Sequence, residues 1–182
     1  MQPPQYALVA YVRSSIGEFV ETLRRELHPA HAHLPAHLSI LPPRQLNGPE
    51  SAALELIEQV CSEVTPFQVT MGDVESFIPI TPTVFLRVAH AAYRMRELHD
   101  RLNTNGLYAK EQWPYMPHLT IFRMEQFRQA RAALDPAIRR WGEYSGTRQI
   151  LLDELTFVRE AGENRWLDIA PIRLGQRLAP LR

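Results

Sequence analysis

Ala36-His37-Leu38-Ser39-Ile40-Leu41-Pro42-Pro43-Arg44 and Pro117-His118-Leu119-Thr120-Ile121-Phe122-Arg123 are the two stretches from which the fold can be worked out. Each holds the pattern His-x-(Ser/Thr)-apolar in a short β-prone run, and the second follows the first by 81 residues. Successive side chains of a strand point to opposite faces, so His37 shares a face with Ser39 while Leu38 and Ile40 occupy the other. His118 and Thr120 stand in the same way against Leu119 and Ile121. In each case an imidazole and a hydroxyl project together above an aliphatic pair that anchors the strand in a core.

Outward from each motif the same order of elements repeats. Residues 6–12 are apolar on both alternating faces, as in a strand buried within a sheet. Ser15 and Glu18 read as a capping box, followed by Ile16, Phe19, Val20, Leu23 and Leu27 at helical spacing. A loop rich in histidine, proline and alanine leads to the first motif strand, residues 36–41, which Pro42-Pro43 is expected to end; Pro49 then opens a helix through Leu54, Ile57, Cys61 and Val64. Residues 67–75 alternate as a further strand, and 76–82 connect to a strand at 83–89. The second half brings a helix through Met95, Leu98 and Leu102 that stops at Asn105-Gly106, the motif strand at 118–122, and a helix with Phe127, Ala130, Leu134, Ile138 and Trp141. Residues 150–159 and 165–174, joined through Ala161-Gly162-Glu163-Asn164, close the chain as a hairpin. The expected fold is α+β: a bilobal, pseudo-twofold duplicated β-α-β-α arrangement with two antiparallel sheets lining a central cleft and helices outside. It is expected to form one domain over 1–182, with interleaved lobes at approximately 1–75 and 83–182.

A chain of 182 residues that is 45% hydrophobic can build its own core. No apolar run approaches the roughly 20 residues needed to cross a bilayer, and the start has no charged region followed by an apolar one, so a cytoplasmic location is expected. Basic and acidic residues balance at 20 each, which gives no net pull toward long nucleic acid and is compatible with a small phosphorylated ligand or an RNA end. The lone Cys61 permits no internal disulfide and reads as a buried structural thiol. His28, His31 and His33 cluster before the first motif, but no carboxylate accompanies them and Pro29 and Pro35 break the segment. They read as a solvated loop, and no metal or other cofactor is expected. His90 and His99 read as surface or capping residues. The chain shows no Gly-rich phosphate loop, no serine nucleophile elbow and no His-Glu-x-x-His, which weighs against those enzyme classes.

Two halves packed about a pseudo-twofold axis would bring both imidazole and hydroxyl pairs to one cleft. Displacement at phosphorus needs a base for the nucleophile, an acid for the leaving oxygen, and donors for the non-bridging oxygens. Two imidazoles and two hydroxyls can supply all of these.

Two His-x-(Ser/Thr)-x motifs on equivalent strands of duplicated lobes resemble the two-histidine (2H) phosphoesterase superfamily, in particular its 2′-5′ RNA ligase and RNA 2′,3′-cyclic phosphodiesterase branch. The resemblance implies that His37 and His118 are catalytic and that Ser39, Thr120, Arg44 and Arg123 bind phosphate. Serine at position 39 departs from the commoner threonine, keeping the hydroxyl but losing a stiff χ1 preference. Strict alternation sets Arg123 on the face opposite His118, so a bulge or the strand end has to re-aim it. Tyr115 and Phe77, with Trp113 and Phe122, are candidates to stack a base at the cleft rim, core packing being the competing reading for each. The implied function is a metal-independent phosphodiesterase for 2′,3′-cyclic phosphate or 2′-5′-linked nucleotide or RNA ends. A catalytically idle module that holds a nucleotide or RNA end is the alternative. No extended nucleic acid and no membrane are expected as partners, and the chain is expected to be monomeric.

Overall fold

The computed structural model of the chain describes residues 3–162 and 165–176. Its elements run β1 (Tyr6–Tyr11), α1 (Ser15–Leu27), β2 (His37–Arg44), α2 (Glu50–Ser62), β3 (Phe67–Ser76), β4 (Thr83–His90), α3 (Ala92–Leu102), β5 (His118–Arg123), α4 (Phe127–Glu143), β6 (Gln149–Leu152), β7 (Glu154–Glu160) and β8 (Trp166–Arg173). Short 3-10 turns occupy Pro29–His31 and Asn105–Leu107. The strands pair antiparallel in the order β6-β3-β4-β5-β2-β1-β7-β8. The two expected sheets are therefore the four-stranded halves β6-β3-β4-β5 and β2-β1-β7-β8. They join at the seam between β2 and β5, where Leu38 pairs with Leu119. The 81-residue repeat carries one of these leucines onto the other, so the pseudo-twofold axis passes through this pair.

The halves exchange elements across that axis. Strand β3 follows the first motif unit in sequence but pairs with β4, and β7 follows the second but pairs with β1. Helix α1 packs on β5 and helix α3 on β2, so each half covers the motif strand of the other. On β1, Tyr6, Leu8 and Ala10 join the large core beneath the helices, while Ala7 and Val9 form a small cluster with Val158 on the opposite side. The strand is buried on both faces, as its sequence requires. Cys61 lies in the large core, and burial pushes its thiol up to about 12, out of reach of ordinary thiolate chemistry.

Three local expectations are corrected. The capping box at Ser15 and Glu18 is absent, because Ser14 is the N-cap and the third helical position is then Gly17, which has no side chain to return. Gly17 is itself required there: a Cβ would sit 1.8 Å from the Val12 carbonyl oxygen. Strand β2 does not end at Pro42-Pro43 but continues to Arg44, which pairs with Tyr6. Register shifts on both sides of the Leu8 and Leu41 pair place the prolines where no ladder donor is required. The run over 150–159 is two strands, β6 and β7, which leave Asp153 for opposite parts of the sheet. The burial changes with the partners: β6 buries alternate residues, Ile150 and Leu152, whereas β7 buries Leu155, Thr156, Phe157 and Val158 in succession. Strands β7 and β8 form the expected hairpin, while Glu163 and Asn164 of its connection lie outside the described residues. Among the described residues no helix is long and apolar enough to cross a membrane.

Candidate active site

Both motif strands carry a β-bulge at the same place. Val9 faces Ser39 and Leu8 faces Leu41, leaving Ile40 as an extra residue in β2. Phe85 faces Thr120 and Val84 faces Phe122, leaving Ile121 as an extra residue in β5. An extra residue shifts the in-out alternation by one. It meets the condition the sequence set for Arg123, which lines a cleft of about 350 Å³ together with His37, Ser39, His118 and Thr120. The residue equivalent to Arg123 in the first half is Pro42, which lines the same cleft.

The seam fixes how the four motif side chains meet. With Leu38 opposite Leu119, the antiparallel register sets His37 across from Thr120 and Ser39 across from His118. The imidazoles lie on one diagonal of this square and the hydroxyls on the other. Diagonal neighbours in a regular antiparallel pair are on the order of 7–8 Å apart, a span that one phosphate group with a hydrogen bond on either side can bridge.

Each imidazole is oriented by its own backbone. Nδ1 of His37 lies 2.9 Å from the carbonyl oxygen of Pro35, and Nδ1 of His118 lies 2.7 Å from that of Met116, in both cases two residues upstream. A carbonyl only accepts, so Nδ1 carries the proton and donates, and in the neutral ring Nε2 is left with a free lone pair. Burial lowers the pKa of both histidines, opposed by these backbone hydrogen bonds, and the charges of Arg24 and His118 depress His37 further. Phe77 and Phe85 set their rings against His118 at centroid distances of 5.1 and 5.2 Å, which explains much of its desolvation.

Not every expected site residue reaches the cleft. Arg44 is buried with its guanidinium turned away. Nε donates to Pro42 O (2.9 Å), Nη1 to Asn103 Oδ1 (2.6 Å) and Leu107 O (3.0 Å), and Nη2 to Glu111 Oε1 (2.7 Å). Its place in the repeat corresponds to Glu125, not Arg123, so the bulge that aims Arg123 does not aim Arg44. Tyr115 is also not a free stacking surface. Its ring lies parallel to His99 at 4.1 Å and its hydroxyl donates to the carbonyl of Ser39 (2.7 Å). His99, read as a surface or capping residue, is buried, with Nε2 3.0 Å from Glu111 Oε1 and Nδ1 2.9 Å from Asp100 Oδ1. Phe77 stacks on Phe85 and touches His118, Phe122 is buried, and Trp113 is exposed. Of the loop histidines, His31 lines the cleft, and His28 and His31 lie 4.4 Å apart by ring centroids. Among the described residues no group of three or more His, Cys, Asp or Glu side chains is arranged to hold a metal ion.

Sequence reasoning missed Arg24. It is 4% exposed, lines the cleft, and donates to the carbonyls of Leu34 (2.6 Å), Thr120 (2.6 Å) and Ile121 (2.7 Å). The available signal was its spacing: Arg24 stands four residues after Val20 and eight after Ile16, an arginine on the inward stripe of α1.

A sequence profile described as the 2′-5′ RNA ligase superfamily matches residues 12–164. A putative phosphoesterase of Halalkalibacterium halodurans is 24% identical over 118 residues, which is 64% of this chain and 68% of that protein. Another, from Oceanobacillus iheyensis, is 23% identical over 120 residues, 64% and 69% of the respective chains. Among solved structures, E. coli LigT complexed with NADP+ superimposes with a TM-score of 0.65 at 16% identity, covering 97% of this chain and 100% of LigT. The same protein complexed with 3′-AMP gives a TM-score of 0.63 at 16% identity over 96% and 100% of the chains.

Proposed function

The chain belongs to the 2′-5′ RNA ligase superfamily, and from that premise we propose that it is a phosphodiesterase opening 2′,3′-cyclic or 2′-5′ phosphate esters of nucleotides or RNA ends through His37 and His118. The observation that carries this reading is the square of side chains over the Leu38 and Leu119 seam, with two backbone-oriented imidazoles on one diagonal and two hydroxyls on the other. In hydrolysis, the lone pair on Nε2 of one neutral imidazole takes a proton from water as its oxygen bonds to phosphorus. The bond from phosphorus to the ribose oxygen breaks on the opposite side, and Nε2–H of the other, protonated imidazole delivers the proton to that oxygen. The hydroxyls of Ser39 and Thr120 and the guanidinium of Arg123 hold the non-bridging oxygens as charge builds on them. With a ribose hydroxyl in place of water, the same groups run the ligation direction.

Two further facts favour a nucleotide ester. LigT, whose fold this chain shares, has been solved with NADP+ and 3′-AMP. The cleft also adjoins a larger cavity of about 820 Å³, with Tyr11, Leu34, Pro35 and Trp166 lining both, which leaves room for a nucleoside beside the phosphate. The test is turnover of 2′,3′-cyclic mononucleotides, short cyclic-phosphate RNA and 2′-5′ dinucleotides by the purified protein. Hydrolysis of one of these classes is expected. Binding without turnover of any would make the chain the idle binding module instead.

A further inference from the structure

A β-bulge has a cost: the backbone groups around the extra residue lose their ladder partners and need others. Both bulges lie directly beneath the motif side chains, and at both a side chain from the other half donates to carbonyls of the bulged stretch. At the second bulge Arg24, on helix α1 of the first half, donates Nη2–H to Thr120 O and Nε–H to Ile121 O. At the first bulge Tyr115, from the segment of the second half that leads into β5, donates its hydroxyl to Ser39 O. Ser39 and Thr120 are equivalent positions of the repeat, so the two struts serve the same carbonyl in opposite halves.

Both struts are themselves held. A third bond, to Leu34 O, ties Arg24 to the loop that carries Pro35, the residue whose carbonyl orients His37. Tyr115 is stacked on His99 and immediately precedes Met116, whose carbonyl orients His118. Burial and the charge of Glu111 raise the Tyr115 phenol well above its ordinary pKa, so it remains a donor. Each strut thus touches the bulge of one motif strand and the orienting segment of the other imidazole. A planar guanidinium suits the two adjacent carbonyls at the second bulge, because its fork donates to both at once.

We propose that Arg24 and Tyr115 are reciprocal positioning residues that lock the two motif strands together and thereby set His37 and His118 to one phosphate. The proposal rests on the phosphodiesterase reading for its kinetic consequence but not for its structural one, and the experiment separates the two. Tyr115→Phe removes one hydroxyl and leaves the ring on His99. Arg24→Lys keeps the charge and loses the fork. Side-chain nitrogen resonances of His37 and His118 are followed through a pH titration for wild type, both single variants and the double variant, with kcat and KM measured on a cyclic mononucleotide.

In each single variant the resonances and titration of at least one imidazole are expected to move, and kcat to fall by about 10- to 100-fold while KM changes by less, the pattern of misplaced catalytic groups. The double variant should be no worse than the poorer single variant within about threefold, because releasing either strut already frees the same geometry. Imidazole resonances unchanged in both single variants, or a double loss equal to the product of the single losses, overturns the proposal. If Arg24→Lys does not fold, Tyr115→Phe alone decides by the same readouts. A wild type that turns over no cyclic ester defeats the functional reading, and the imidazole resonances then decide on the struts by themselves.

Discussion

Leu38 and Leu119 pair with each other across the seam of the sheet, each fully buried, each flanked by a histidine and a hydroxyl on the cleft side. The pair lies on the pseudo-twofold axis, so it sets the relative height of both imidazoles. Leu38→Ala or Leu119→Ala is expected to cost about 2–5 kcal/mol of stability, as for other buried leucines. Activity per folded molecule should fall as well, since the strands can slide where the leucine is missing. Urea unfolding and active-site titration of the same preparations check this, and a variant with the stability loss alone would show that the seam does not set the site.

Replacing either His37 or His118 by alanine should slow turnover by about 10²- to 10⁴-fold, the usual worth of a positioned acid or base. Ser39→Ala and Thr120→Ala should cost less, each removing one donor to the phosphate and leaving proton transfer intact. The double histidine variant should lose much less than the product of the single losses, because in the proposed reaction the pair acts in one transition state. Single-turnover rates on a cyclic mononucleotide measure each of these, and multiplicative losses from the two histidines would separate their roles.

The pH dependence follows from the direction in which both histidines are shifted. Their pKa values lie below the ordinary 6.5 in the folded protein, chiefly through burial. The proposed reaction needs one imidazole charged and one neutral, a state most populated between the two values. The optimum of kcat/KM, which reports the free enzyme, therefore lies below pH 6.5. A bound phosphate anion favours the charged rings, so the optimum of kcat should lie at higher pH than that of kcat/KM. For stability, the unfolded chain takes up protons first as pH falls through 6.5. The contribution of the two rings is complete above that pH and is lost as pH falls toward the folded values. Denaturant midpoints of wild type and His118→Gln between pH 7.5 and 5 should converge on acidification. Parallel curves would be inconsistent with a depressed His118.

The motif strands, their faces and the duplicated order were legible because each depends on local alternation and helical spacing. Two imidazoles in one cleft could be inferred from the repeat. The exchanges were not legible: nothing local in residues 67–76 says that β3 will pair with β4, or in 150–160 that β6 and β7 will part company at Asp153. The roles of Arg24, Arg44 and Tyr115 were hidden for the same reason. Apart from the Arg44 bond to Pro42 O, the carbonyls and carboxylates that fix them lie from 10 to 97 residues away, in contacts that sequence spacing does not encode. A further long-range inference, that a bulge or the strand end has to re-aim Arg123, came from a conflict between strand alternation and the expected chemistry; β5 has a bulge at Ile121 and ends at Arg123.

Chelation offers a separate check on the proton-transfer scheme, which assigns every step to side chains of this chain. Turnover after exhaustive treatment with EDTA should match that of the untreated enzyme. Loss on chelation, with recovery on adding one divalent ion, would move attention to the loop histidines, of which His31 lines the cleft.

Arg44 and Arg123, paired in expectation as phosphate ligands, should now separate in experiment. Arg123 is exposed at the end of β5 and lines the cleft without an ion pair among the described residues, so Arg123→Ala should leave the unfolding midpoint nearly unchanged. Its effect should fall on phosphate recognition, raising KM and lowering kcat/KM by about tenfold or more, the loss of one charge-assisted contact. Arg44 is enclosed, and its removal takes the cationic partner from Glu111, which is 22% exposed and keeps His99 Nε2 at 3.0 Å, and one donor each from the oxygens of Asn103 and Leu107. Breaking a buried pair from one side costs about 3–5 kcal/mol, and partial access of Glu111 to water places the expectation for Arg44→Ala near the lower end. Replacing Arg44 and Glu111 together by methionine and leucine should recover much of that loss, since no unpaired charge then remains. Michaelis constants and urea midpoints for the three variants decide the matter. An Arg44→Ala protein of wild-type stability but raised KM would return Arg44 to the phosphate, against the hydrogen bonds that hold it beneath the cleft.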